Sequence, residues 1–292
     1  VLAENYADFL QRNKKLRIED ICFTAATGRN HFRYRVAIPV KSIDELIEKL
    51  RPLAAGDESG LIAGDCNRGK LALLFTGQGA QYVGMARDLY ETHLLFRDAV
   101  DELDEILSPL MAYPLKKLLW GDDEVTDSGF GAKPGDIAAG DTPLSQTQFT
   151  QPAMFAIEIA LARLWQNFGV NAEFVAGHSV GEYAAAVIAG VMSVGDAAKL
   201  ICARGQLMAQ LTEPGAMLAI QASREIAEEL MARIDAQLSI AAENAPASTV
   251  VSGSFDAIAA LAQQASAAGI AAERLAVSHA FHSHLMQPML DR

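Results

Sequence analysis

Residues 172–190 read AEFVAGHSVGEYAAAVIAG, and their order decides the fold. A short apolar run, AEFVAG (172–177), leads into Gly177-His178-Ser179-Val180-Gly181, and an Ala-rich segment of helical composition follows. Strand, G-x-S-x-G turn and helix in that order form the nucleophile elbow of α/β enzymes. The glycines permit a sharp reversal that would project the Ser179 hydroxyl at the carboxyl end of a strand. The N–H of Val180 would then lie at a helix N-terminus, where it could stabilise an oxyanion. The bare pattern also fits a plain structural turn; the strand before it and the helix after it favour the chemical reading. His178 adjoins the serine in sequence, so its side chain should point elsewhere than toward Ser179.

Working outward, KLALLFTGQGAQ (70–81) repeats the theme. LALLF (71–75) suits a buried parallel strand. Glycines in Gly77-Gln78-Gly79 would let the backbone approach a reacting carbonyl, with the Gln78 N–H as a second oxyanion donor. The turn has neither the Lys-Ser/Thr end of a phosphate loop nor a full G-x-G-x-x-G. Taken alone, it serves structure and chemistry equally well. MARDLYETHLLFRDAVDELDEIL (85–107) reads as a helical region, and 121–148, rich in Gly, Asp, Thr and Ser, as a long surface loop. Gln151-Pro152 opens a long helix, and further helices are expected at 181–191 and 195–211.

From Ala216 the pattern changes to β-α-β-β-α-β: AMLAI (216–220), a helix over 223–234 capped by Ser223, LSIAAENA (238–245), TVVSGS (249–254), a helix over 255–269 and AAERLAVS (271–278). That order is the ferredoxin-like unit. At the other end, residues 1 to about 55 read as a small α+β appendage. Its strands are expected at ICFTAA (21–26) and HFRYRVAIPV (31–40), and Ser42 with Glu45 forms a capping box for IDELIEKL. Residues 56–69 read as a linker. The expected division is 1–65, 66–212 for a large α/β part, 213–278 for the ferredoxin-like part, and 279–292 for a return to the large part. Val1 and the amphipathic ending HLMQPMLDR suggest a piece of something longer.

Of 292 residues, 51% are hydrophobic and 21% charged, enough to bury a sizeable core. Lys plus Arg is 24 against 36 Asp plus Glu, a net charge of −12, which argues against nucleic acid or an anionic membrane as the main partner. Cys22, Cys66 and Cys202 are far apart and not in metal spacing, which argues for a reducing compartment, the cytoplasm, over a disulfide framework. The apolar run Tyr183 to Gly195 is too short to span a bilayer, and no signal-peptide layout opens the chain.

A serine nucleophile needs a base. His31, His93, His178, His279, His282 and His284 are the six imidazoles, and three of them cluster in SHAFHSH (278–284). A metal site there would need three or four convergent ligands, and no Cys or carboxylate lies beside them. Proton transfer at the mouth of the elbow is the better use. Arg204 stands in a largely apolar helix with Leu200, Ile201, Leu207 and Met208. A guanidinium there could pair with a substrate carboxylate; a snorkelling or surface arginine is the plainer alternative.

Together, FTGQGAQYVGMARDLY, TQPAMFAIEIAL, GHSVGEYAAAVIAGVMS, ARGQLM, AAENAPASTVVSG and HAFHSHLM resemble, in order over 71–290, the acyltransferase domain of modular polyketide synthases and, more distantly, the malonyl-CoA:acyl carrier protein transacylases. Residues 1–65 resemble the linker that joins a ketosynthase to its acyltransferase. The resemblance implies an α/β-hydrolase-like large subdomain with an inserted ferredoxin-like small one. It implies Ser179 as nucleophile, His282 as base, Gln78 and Val180 as oxyanion donors and Arg204 as carboxylate binder. Gln151, His178, Asn244, His279 and Phe281 would shape the pocket. In this family backbone carbonyls, not an acid, orient the histidine. No cofactor or metal is implied; the substrate would be malonyl-CoA and the acceptor the phosphopantetheine of an acyl carrier protein, with a ketosynthase in the same polypeptide. His279-Ala280-Phe281-His282 and Val180 are of the malonyl-selecting type, and the 121–148 stretch is longer than usual for the family. A serine hydrolase and a non-catalytic scaffold are the rival readings.

Overall fold

The computed structural model describes residues 1–65, 69–121, 142–211, 213–275, 277 and 279–290. The chain forms two compact units, Val1–Lys70 and Leu71–Arg292.

The first unit runs α1 (Leu2–Arg12), α2 (Ile18–Thr27), β1 (Tyr34–Ala37), α3 (Ile43–Ala54) and β2 (Ile62–Asp65). Ala7 and Leu10 of α1 pack on Leu46 and Leu50 of α3. The Ser42 hydroxyl accepts the Glu45 N–H, and the Glu45 carboxylate reaches back to the Lys41 N–H. Two expectations are corrected. ICFTAA is helical: a short apolar run has no period of its own to choose strand over helix, and Thr24 and Thr27 each donate a hydroxyl to the carbonyl four residues earlier. The linker region carries β2, which pairs antiparallel with β1 from Tyr34↔Asp65 to Ala37↔Ile62, with Arg33 and Asp65 in an ion pair at 2.6 Å.

In the second unit β3 (Ala72–Phe75) and β4 (Phe174–Gly177) pair in parallel, with Phe75 opposite Gly177. The two strands end side by side, so the turns that follow them meet. Around them stand α4 (Arg87–Thr92), α5 (Leu94–Met111), α6 (Leu115–Trp120), α7 (Thr147–Asn167), α8 (Gly181–Ile188) and α9 (Val194–Ala209). Every residue of α7 from Thr150 to Ala160 is buried, so this helix is the axle of the core. It packs with Phe96, Val100, Leu103 and Leu107 of α5 and Ile201 of α9. The expected 85–107 helix is broken at His93, whose backbone is extended. The long helix starts at Thr147 rather than Gln151, because Thr150 donates its hydroxyl to the Leu144 carbonyl at 2.6 Å and anchors the entry. Residues 122–141, most of the expected surface loop, lie outside the described residues.

The small part runs β5 (Ala216–Ile220), α10 (Arg224–Met231), β6 (Leu238–Ala245), β7 (Ser248–Gly253), α11 (Phe255–Ala267) and β8 (Ala272–Arg274). The sheet is antiparallel in the order β6-β7-β5-β8, the ferredoxin-like topology. β8 is shorter than expected. Alternation along the strands divides the sheet: Leu218, Ile220 and Val251 pack under α10 and α11, while Met217 and Val250 face Met208 of α9 and Phe281. The second face roofs the turns after β3 and β4. Among the described residues no helix is long and apolar enough to cross a membrane.

Candidate active site

The elbow is built by contacts that tolerate no side chain. A Cβ on Gly177 would overlap the backbone of Glu182, and one on Gly181 would lie 2.5 Å from the Phe75 carbonyl oxygen. Ser179 between them has φ 53°, in the left-handed region that L-residues rarely adopt. The N–H groups of Gly181, Glu182 and Tyr183 are taken by the carbonyls of His178, Ser179 and Val180. No hydrogen bond among the described residues takes the N–H of Val180, at the N-cap of α8. The His178 N–H extends the strand pairing to the Phe75 carbonyl at 2.9 Å.

His282 arrives from the segment after the small sheet, also with a positive φ, 57°. A tight local turn holds it: the Ser283 hydroxyl donates to the Ala280 carbonyl at 2.6 Å and accepts the Leu285 N–H at 3.2 Å. Ala280 is fully buried against Gly215, where a Cβ would collide with it. Nε2 of His282 and Oγ of Ser179 are 2.9 Å apart. Burial, reinforced by the positive charge of Arg204 and by His178, pushes the His282 pKa below the usual imidazole value. The ring is therefore neutral at neutral pH and free to accept a proton.

Arg204 comes from α9. The next residue, Gly205, lets α9 approach α7 closely: a Cβ there would stand 3.0 Å from Gln148 Cα. The guanidinium donates to Ser179 Oγ at 3.1 Å and to the side-chain carbonyl of Gln151, and it lies 6.0 Å from the Tyr183 ring centroid. Among the described residues no carboxylate pairs with it. Burial lowers its pKa, the cost of holding a charge with no counter-ion.

A cavity of about 190 Å³ joins these groups, bounded by Gln78, Gln151, His178, Ser179, Val180, Arg204, Asn244, Phe281 and His282. His178 lines it while packing over Gly77, where a Cβ would come within 2.6 Å of its ring. His279 stands outside this lining: its ring is 5.9 Å from that of Phe281, and Nε2 meets the Leu211 carbonyl at 3.3 Å. The imidazoles of SHAFHSH thus go to different surroundings, and among the described residues no cluster of His, Cys, Asp or Glu is placed to hold a metal ion. Cys202 is buried, its thiol pushed up to about 12, and Cys22 is exposed; Cys66 lies outside the described residues.

Sequence reasoning missed the apolar walls, Met208, Met217, Val250, Leu275 and Val277. Met208 was findable, four residues after Arg204 on one helix face. It also missed Thr147, which donates to the Gln78 side-chain carbonyl at 3.1 Å, and Glu158, whose carboxylate accepts the Thr76 hydroxyl at 3.0 Å just before the Gly77 turn.

A hydroxyl, a neutral imidazole, a guanidinium with no carboxylate partner among the described residues and a helix N-terminus at one cavity suit acyl transfer through serine. The model of the acyl transferase domain family matches residues 72–292, and a CurL-like polyketide synthase C-terminal model matches residues 1–50. Polyketide synthase GfsA of Streptomyces halstedii is 42% identical over 281 residues, 93% of this chain, which spans only 4% of that protein's length. The acyltransferase domain from the second module of the salinomycin polyketide synthase is 38% identical, with a TM-score of 0.75 over 99% of this chain and 64% of that one. The malonyl CoA-acyl carrier protein transacylase of Coxiella burnetii is 33% identical, with a TM-score of 0.64 over 76% of this chain and 66% of that one. The chain belongs to the acyl transferase domain family, among the acyltransferase domains of modular polyketide synthases.

Proposed function

We propose that this domain takes the malonyl group from malonyl-CoA and passes it, through an acyl-serine, to the phosphopantetheine thiol of an acyl carrier protein. Ser179 Oγ attacks the thioester carbonyl while His282 Nε2 takes its proton. The N–H groups of Gln78 and Val180 hold the oxyanion. The carbon–sulfur bond breaks, and coenzyme A leaves with the proton from His282. The carrier thiol then gives its proton to His282 and attacks the ester, and Ser179 leaves with that proton, which completes a ping-pong cycle. Serine and histidine act as a dyad without cofactor or metal.

The observation that carries this reading is Arg204: a half-buried guanidinium, without a carboxylate partner among the described residues, 3.1 Å from the nucleophile. Such a charge suits an acyl group that brings its own carboxylate. Phe281 lines the cavity, and its ring beside the acyl α-carbon would crowd an α-methyl and so favour malonyl over methylmalonyl. The likeness to a transacylase whose name states malonyl CoA and acyl carrier protein supports the same choice. The match of residues 1–50 to a polyketide synthase segment supports a ketosynthase in the same polypeptide, and a free carrier thiol fits the reducing cytoplasm.

The test is acylation of the full polypeptide by malonyl-, methylmalonyl- and acetyl-CoA, read as acylated Ser179 peptide by mass spectrometry. Malonyl should load best and move on to a carrier thiol faster than to water. Preferential methylmalonyl loading would remove the specificity assignment, and release mainly to water would make the domain a hydrolase.

A further inference from the structure

Glu158 stands in the middle of α7, 8% exposed, and lies outside the lining of the acyl cavity. Its neighbours along the helix, Ile157 and Ile159, are apolar core. Packing there asks only for a side chain of suitable volume, and a buried carboxylate costs stability through desolvation. One of its oxygens accepts the Thr76 hydroxyl at 3.0 Å, and the other has no hydrogen-bond partner among the described residues. The charge-bearing group is therefore directed at Thr76.

Thr76 joins β3 to the Gly77-Gln78 turn. Just before it, the Phe75 carbonyl takes the His178 N–H at 2.9 Å. The Thr76 carbonyl lies against the start of α8, where a Cβ on Gly181 would come within 2.6 Å of its oxygen. With its hydroxyl tied to α7 and its carbonyl against α8, Thr76 is held from two sides. Gly77 follows, with the His178 ring in the space a Cβ would need. Beyond the turn, the Gly79 N–H donates to the Gln81 side-chain carbonyl at 2.7 Å. Between these anchors no hydrogen bond among the described residues takes the Gln78 N–H. The peptide plane between Gly77 and Gln78 sets the direction of that N–H, and a glycine lets the plane swing more than any other residue would. The anchor at Thr76 limits the swing. A donor lowers the barrier only when it already points to the place where the oxyanion forms.

We infer that Glu158 is a positioning residue for the oxyanion: by holding Thr76 from across the core, it fixes the turn that aims the Gln78 N–H at the acyl oxygen. This rests on the proposed function, in which that N–H is an oxyanion donor. Glu158 acts through Thr76 and touches no substrate.

The test is single-turnover acylation of Ser179 in the full polypeptide by malonyl-CoA and by acetyl-CoA, read by mass spectrometry as the rate at saturation and the half-saturating concentration. Thr76→Val removes the hydroxyl at equal volume, and Glu158→Leu removes its acceptor. Each should lower the saturating rate about tenfold for both thioesters, with half-saturation within about twofold of the unmutated value, because the lost interaction matters only in the transition state. Thr76→Ser and Glu158→Gln, which keep the hydroxyl and an acceptor for it, should recover most of the rate. Unchanged rates in Thr76→Val and Glu158→Leu, a loss in Thr76→Ser as deep as in Thr76→Val, or a loss confined to malonyl would overturn the inference. If Glu158→Leu fails to fold, the two Thr76 variants still decide. An unmutated protein whose Ser179 takes an acyl group from neither thioester refutes the proposed function and this inference with it, whereas normal loading by the unmutated protein and by both disruptive variants refutes this inference alone.

Discussion

Glu158→Gln should make the second unit more stable at pH 8 while changing little at pH 4.5. Glu158 lies in the middle of α7 and is 8% exposed. One carboxylate oxygen accepts the Thr76 hydroxyl, and the other is buried with no hydrogen-bond partner among the described residues. Burial, partly opposed by the bonds from Thr76, raises its pKa from 4.5 to about 7. Below pH 4.5 the carboxyl is protonated in the folded and unfolded chains alike, and the site is neutral. Between 4.5 and 7 the unfolded chain releases the proton while the folded one keeps it, so folding loses stability as pH rises. Each pH unit in that window removes about 1.4 kcal/mol, about 3 kcal/mol in all, after which the penalty is constant. Glutamine keeps the acceptor for Thr76 and has no proton to lose. The variant should therefore gain up to about 3 kcal/mol over the unmutated protein at pH 8 and nothing comparable at pH 4.5. Urea unfolding followed by tryptophan fluorescence suits the measurement, because both tryptophans, Trp120 and Trp165, lie in the second unit. A stability difference that is the same at pH 4.5 and pH 8 would refute the reasoning.

Ser179→Ala should abolish acylation at that residue and change stability by no more than about 1 kcal/mol, checked by peptide mass spectrometry beside thermal unfolding; acylation persisting elsewhere would displace Ser179 as nucleophile. Arg204→Ala should cost malonyl loading about 2–5 kcal/mol of transition-state stabilisation and acetyl loading less. The same change removes a charge that depresses the His282 pKa, so the acid limb of acetyl loading should move to higher pH; a limb that stays put would deny that coupling. Phe281→Ser with His279→Tyr should narrow the malonyl-to-methylmalonyl gap by part of the about 1–3 kcal/mol that one methyl is worth. Phe281→Ser alone should account for most of it, since only Phe281 lines the cavity; kcat/KM for both thioesters decides.

Local chemistry was enough to read the elbow, because Gly177 and Gly181 flank a serine between an apolar strand and a helix, and those constraints act over a few neighbouring residues. The ferredoxin-like order of the small part was legible as short apolar runs separated by two helical stretches; Ser223 stands at the N-cap of α10 but makes no capping bond with its side chain, whereas Ser254 caps α11. ICFTAA could be strand or helix, and it is helical as α2, with no residue of the helix buried. Elsewhere, where the local signal was neutral, tertiary structure decided. The glycine- and aspartate-rich 56–69 stretch has no strand composition, yet four of its residues complete a ladder because β1 needs a partner. The deepest part of the site is of this second kind. Nothing within reach of Arg204 in the sequence says that Gln151, 53 residues earlier, will accept its proton donors, or that Thr147 will hold Gln151 in turn. That meeting depends on the close crossing of α7 and α9 at Gly205. His282 likewise meets Ser179 across 103 residues only because the small sheet returns the chain to the mouth of the elbow. Residue types with chemical capacity are written in the chain; their distances arise from burial of α7 among its neighbours, which no local pattern encodes.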